Sequence, residues 1–142
     1  MGADVFSDGW AAAWAAEINA SAAYHAAGAR WESAFVLVMD PDESLGITER
    51  RTVYVDLSHG ECRAGRAATA DDLASAPYVL KASAAVWRQV LAGEMEPVGA
   101  ITLGLMELSR GTLESLAPHV PAATALLAAA SRASMEPPEG AS

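Results

Sequence analysis

Apolar residues near the start of the chain recur at helical spacing. Phe6, Trp10, Trp14, Ile18 and Ser21 follow one another, with Ala13, Glu17 and Tyr24 beside them. That period predicts one amphipathic helix over residues 4–29. Gly9 weakens its first turns and Gly28 is a natural stop. The period then shortens to two. Residues 31–39 and 51–56 are rich in β-branched and aromatic side chains, which predicts strands. In the first, Phe35, Leu37 and Met39 alternate with Ala34, Val36 and Val38, so both faces are apolar. Such a strand is either central in its sheet or the cover of a cavity. In the second, Val53, Val55 and Leu57 share a face opposite Thr52, Tyr54 and Asp56.

Turn chemistry sets the connections. Asp40-Pro41-Asp42-Glu43 followed by Gly46 predicts a turn, and Ser58-His59-Gly60 reverses the chain into a third strand over 61–67. A fourth strand is expected over 77–82. Strands joined in succession by short turns imply antiparallel pairing. The helical period then returns. Ser83 caps a helix over 84–92, with Val86, Trp87, Val90 and Leu91 on its apolar side, and Gly93 closes it. Pro97 suits the first position of another short helix, and residues 105–109 suit a fifth strand. Gly111 turns the chain and Thr112 caps a last helical region, interrupted at Pro118 and Pro121. Leu113, Leu116, Leu126, Leu127 and Ala130 supply its apolar face. Residues 1–134 are expected to form one domain, with 135–142 a frayed tail.

Composition narrows the function. Eighteen acidic against nine basic residues give a net charge of −9, which disfavours nucleic acid and stable association with anionic membranes. With 52% hydrophobic and 19% charged residues, the chain can build a full core. Cys62 is the single cysteine, so no internal disulfide can form and a reducing cytoplasm is the expected setting. Met1-Gly2-Ala3-Asp4 has neither a basic start nor an apolar core, so no secretory signal is expected, and no stretch of about eighteen uninterrupted apolar residues suggests a membrane span.

Candidate chemistry is sparse. His59 and Cys62 have a His-x-x-Cys spacing, but zinc needs further ligands and His25 and His119 fall in distant predicted helices. Asp40, Asp42 and Glu43 lack a calcium-loop pattern, and a pairing of Asp56 with Glu61 belongs to a solvated hairpin end. Neither a nucleophile motif nor a phosphate loop is present. No catalytic residue, metal or cofactor is expected.

The second half carries a more specific signal. Trp87, Val90 and Leu91 lead into Gly93-Glu94-Met95-Glu96-Pro97, then Ala100, Gly104-Leu105 and Gly111. An apolar helix, a Gly-x-Leu-x-Pro corner, a short helix with Ala, a Gly-Leu strand start and a closing Gly form this run, with Met95 in place of the usual Leu. Asp56-Leu57 and Gly60 fit more weakly. The pattern resembles the sterol carrier protein type-two family of small lipid-binding domains. The resemblance implies an α+β fold: a mixed, largely antiparallel five-stranded sheet with helices packed on one face. It also implies an apolar tunnel between sheet and helices for a lipid-like small molecule, such as a fatty acyl chain or sterol. Candidate walls are Trp10, Trp14, Ile18, Phe35, Leu37, Trp87, Leu91, Met95, Ile101, Leu105 and Met106, and the same residues would equally furnish a packed core. The acidic charge and the ending Gly140-Ala141-Ser142 depart from lipid-shuttling and peroxisomal members and suit a bacterial-type cytosolic variant. The alternative is an interaction module that forms a homodimer over a closed cavity, pairing through the Trp10/Trp14 helix or the 121–131 helix.

Overall fold

The computed structural model describes residues 6–43 and 47–135. Along the chain run α1 (Asp8–Asn19), α2 (Ala22–Ala27), β1 (Glu32–Asp40), β2 (Arg51–Ser58) and β3 (Glu61–Ala67). Then follow α3 (Ala70–Ser75), β4 (Tyr78–Ser83), α4 (Ala84–Leu91), α5 (Pro97–Thr102), β5 (Met106–Arg110), α6 (Leu113–Leu116) and α7 (Val120–Met135). The strands form one sheet in the order β3-β2-β1-β4-β5, parallel between β1 and β4 and antiparallel elsewhere. This is the expected mixed α+β architecture. The β2–β3 hairpin turns on His59 and Gly60, both at positive φ (52° and 86°), the primed geometry that matches strand twist. Residues 44–46, with Gly46 of the expected turn, and the tail from Glu136 lie outside the described residues. Flanking that turn, Asp42 and Ile47 exchange backbone bonds of 2.8 and 3.0 Å.

Two expectations are corrected. The first four strands are not joined by short turns alone, because α3 intervenes and carries the chain across to the far side of β1. Parallel pairing of β4 on β1 requires such a crossover. Thr69 and Asp72 form the capping box that starts α3: Thr69 Oγ1 accepts from the Asp72 amide, and the Asp72 carboxylate accepts from the Thr69 amide. With no fully buried residue, α3 shows no apolar stripe to announce it. The helix expected over 4–29 is likewise two helices where described, broken at Ala20. Ser21 caps the second by accepting from the Tyr24 amide at 3.0 Å. The break follows from Asn19, whose side chain takes the place of a strand partner for Cys62. Asn19 Oδ1 accepts from the Cys62 amide at 2.8 Å, and Asn19 Nδ2 donates to the Cys62 carbonyl at 3.0 Å.

The two apolar faces of β1 are both covered. Phe35, Leu37 and Met39 join Val53, Val55, Leu57 and Leu80 in the main core, beneath α1, α4 and α7. On the opposite face Val36, Val38, Ala76 and Val79 form a smaller cluster against Tyr54 and Leu73 of α3. Tilted aromatic contacts join Phe6 to Trp10 (5.0 Å), Trp10 to Trp14 (5.3 Å) and Phe6 to Trp87 (5.1 Å). Two indole N–H groups lock the layers together: Trp87 donates to the Val38 carbonyl at 2.8 Å and Trp14 to the Leu126 carbonyl at 2.9 Å.

Helix α1 presses on β3 at Gly65, where a Cβ would sit 2.6 Å from the Ala11 carbonyl oxygen and 2.8 Å from the Ala15 Cβ. Gly65→Ala should therefore cost about 1–3 kcal/mol in urea unfolding, and wild-type stability would contradict this close approach. The α3 cap gives a second expectation. Asp72 accepts from both terminal nitrogens of Arg66, whose guanidinium lies 4.4 Å from the Tyr54 ring centre. The Arg66 bonds, against a smaller opposing effect of burial and with help from Thr69, hold the Asp72 carboxyl down at about 2. A depressed carboxyl stabilises the fold fully above its ordinary value of 3.8, and that contribution fades as pH falls toward about 2. Asp72→Asn should lose roughly 1 kcal/mol at neutral pH. The gap from wild type should shrink through that acid window, and a pH-independent gap in urea midpoints would refute the assignment.

Candidate functional site

The corner after α4 creates the site. Helix α4 closes with the Glu94 amide on the Gln89 carbonyl (2.9 Å) and Gly93 at φ 79°. Pro97 then begins α5 with its ring at the first helical position, where no backbone N–H is needed. The new direction lays α5 over the core face of the sheet beside α7. Only Ala100 of α5 is fully buried, and its N-cap Glu96 makes no side-chain capping bond. This short helix is held lightly.

Between α5, α7 and the sheet lies a cavity of about 50 Å³. Phe35 and Leu37 of β1, Val55 of β2 and Leu80 of β4 form its floor. Val98 and Ile101 of α5 wall one side; Leu126, with Ala123, closes it from α7. Trp14 also lines it, its one polar group already spent on the Leu126 carbonyl. The lining is almost wholly apolar, and the volume would hold one or two water molecules at ~30 Å³ each. Where the resemblance implies a tunnel, the structure holds a small, partly open apolar pocket.

A groove of about 360 Å³ adjoins it, between Val90, Leu91 and Met95 on one side and Thr124, Ala128 and Ser131 of α7 on the other. Pro97 and Leu127 border both spaces, so these two side chains are the partition. Glu96 places a carboxylate at the groove.

Floor and cover differ in how firmly they are fixed. Phe35 stacks on Tyr78 (4.9 Å) and meets Trp31 edge-on (5.3 Å), and Trp31 in turn stacks under His119 (4.7 Å). The Tyr78 hydroxyl is 2.8 Å from Ser115 Oγ, and its ring packs so close to Gly111 that a Cβ there would lie 2.3 Å away. The floor is pinned from several directions, whereas α5 is not.

Of the sequence candidates, the structure brings Trp14, Phe35, Leu37 and Ile101 to the cavity and Leu91 and Met95 to the groove. Trp10, Ile18, Trp87 and Met106 are buried in the packed core and line neither space, Trp10 and Trp87 being held there by aromatic contacts and the Trp87 bond to Val38. Leu105 is 45% exposed at the entry to β5. Sequence reasoning missed Val55, Leu80, Val98 and the α7 side chains as lining. Leu126 and Leu127 had been readable as an apolar helix face, but which surface that face covers depends on where α7 lands.

The polar candidates are occupied structurally. Cys62 is buried, its Sγ donates to the Ala64 carbonyl at 3.2 Å, and burial pushes its thiol pKa up, away from the thiolate. His59 Nδ1 faces the Ala29 carbonyl at 3.3 Å, and His25 Nε2 faces that of Asn19 at 2.8 Å. Tyr24 is buried with its hydroxyl unpartnered among the described residues, and burial raises its pKa to about 12, with Cys62 adding to the rise. No group of three or more His, Cys, Asp or Glu among the described residues is arranged to hold a metal ion. Nor is any described helix long and apolar enough to cross a membrane.

No family profile matches the chain, and no curated protein is significantly similar to it. Solved structures are. A crystal structure of sterol carrier protein 2 shares 37% identity over 90% of this chain and 98% of its own, with a TM-score of 0.80. A conserved hypothetical protein from Thermus thermophilus, solved in solution, shares 36% identity over 93% and 91%, with a TM-score of 0.81. The apo form of sterol carrier protein 2 from Yarrowia lipolytica, 12% identical over 91% and 95% with a TM-score of 0.57, shares the fold. At that level of identity and coverage, the chain belongs to the sterol carrier protein 2 family.

Proposed function

We propose that the chain binds one apolar, lipid-like molecule without catalysing its conversion, taking the tail between the sheet and helices α5 and α7. The observation that carries this reading is the partition: two side chains, Pro97 and Leu127, separate a small apolar pocket from an adjoining groove. Small-molecule sites span ~300–1,000 Å³, and the void alone falls far short of that. Swinging Leu127 aside and lifting the lightly held α5 would join the two spaces and reach that range. Burial of about 300 Å² of ligand would yield roughly 7 kcal/mol at ~25 cal/mol per Å², part of which opens the cover. The family's name, sterol carrier protein 2, supports the same ligand class. Glu96 at the groove disfavours an anionic head there, so a long-chain alcohol or a sterol suits the site better than a fatty carboxylate.

One observation favours a second reading, an interaction module over a closed cavity. Leu103 is 73% exposed, with Leu105, Leu113 and Val120 also exposed large apolar residues. The strip expected on α1 offers no such surface, because Trp10 and Trp14 are fully buried.

Titration with a long-chain alcohol should change tryptophan emission through Trp14, and native mass spectrometry should find one bound molecule. Ile101→Trp, which fills the void, should weaken binding by about tenfold or more, as loss of well over 1 kcal/mol of burial requires, while leaving thermal stability intact. A silent titration together with a ligand-free dimer would overturn the carrier reading in favour of the module.

A further inference from the structure

The face of the sheet turned away from the cavity holds a separate concavity of about 220 Å³. Val38 and Val79 floor it, and Arg50, Lys81, Ser109 and Arg110 rim it. The register explains the grouping: Lys81 pairs with Val38 across β1–β4, and Arg110 pairs with Val79 across β4–β5, so each cation stands beside one floor residue. Arg50 enters from the start of β2.

The charge here runs against the whole molecule. The chain has nine Lys and Arg for eighteen Asp and Glu, yet three of the nine line this one concavity. Three other cations are taken up by carboxylates, Arg63 by Asp56, Arg66 by Asp72 and Arg132 by Glu17. At this concavity Arg110 Nη1 donates to the carbonyls of Leu73 (3.0 Å) and Ala76 (3.1 Å), neutral acceptors that orient the guanidinium and leave its charge uncancelled. Among the described residues the side chains of Arg50 and Lys81 have no hydrogen-bond or ion-pair partner. Glu107 faces Lys81 in register, but its carboxylate accepts from the Ser109 hydroxyl at 3.2 Å and makes no ion pair with the lysine. Asp40, at the end of β1, makes none with Arg50.

We propose that this concavity binds a small organic phosphate. The phosphate group sits among Arg50, Lys81 and Arg110, and the organic part lies on the Val38–Val79 floor. Three cations lining one concavity match a group with several anionic oxygens better than a single carboxylate, and arginine forks suit phosphate geometry. The space equals that of about seven water molecules at ~30 Å³ each, room for a monophosphate with a compact organic group. A polyanion is repelled by the net charge of −9 that surrounds the site. The site lies on the opposite face from the apolar cavity and does not depend on that cavity's function.

The test is an amide NMR titration of the whole chain with phenyl phosphate, inorganic phosphate and sulfate, and separately with vesicles containing phosphatidic acid. Saturable shifts should be confined to the surroundings of Val38, Val79, Lys81 and Arg110, strongest with phenyl phosphate and weaker with inorganic phosphate. Lys81→Gln and Arg50→Gln, both on a solvated face, should keep the remaining spectrum and weaken phenyl phosphate by about tenfold each, the effect of losing one charged hydrogen bond. Equal affinity in the variants, equal response to sulfate, no saturation, or a response to vesicles alone would each overturn the assignment.

Discussion

A strand that is apolar on both faces has to be covered twice, and β1 imposes that demand on the rest of the chain. Burying Phe35, Leu37 and Met39 calls for α1, α4, α5 and α7 on one side; burying Val36 and Val38 calls for α3 and the crossover on the other. The parallel β1–β4 pair follows, since the chain can supply α3 only by passing across the sheet before adding β4. Both places where a ligand could sit inherit their floors from this strand. Phe35 and Leu37 floor the apolar cavity, and Val38 floors the cationic concavity behind it.

The two covers are not equally tight. On the core side α1 and α4 are fixed by indole hydrogen bonds and by the contact at Gly65, whereas α5 rests on Ala100 and a proline start. If a ligand is taken here, a small apolar pocket beneath a lightly held helix, with an apolar partition, makes a site whose bound form would differ from its free form. A ligand entering there would select an opened arrangement, and its affinity would be reduced by whatever that opening requires. Tight packing at Trp10, Trp87 and Met106 would confine any such movement to α5 and α7 and keep the sheet intact.

Much of this was legible in the sequence, and the exceptions have physical causes. Alternation in Phe35–Met39 and in Val53–Leu57 located the central strands, and Gly93 and Pro97 located the corner, because each depends on local backbone rules. Helix α3 escaped notice because it buries no side chain fully; the Thr69–Asp72 capping box was its one signal. The break at Ala20 was hidden because it depends on Asn19 meeting Cys62, a contact across 43 positions. Membership of the cavity was only partly legible. Trp14 and Phe35 were recognisable as large apolar residues, but so was Trp87, and its place away from the void is decided by a bond to Val38. The cationic concavity gathers Arg50, Lys81 and Arg110 from three separate segments, and only the sheet order brings them together.

The claim that the cover moves while the sheet stays shut is tested most directly by native-state amide hydrogen exchange on the ligand-free protein. The account predicts that α5 amides, such as those of Ala100 and Leu103, exchange through a local opening far cheaper than global unfolding, with β1 and β2 amides retaining full protection. Equal protection of α5 and the central strands, lost together only on global unfolding, would contradict it.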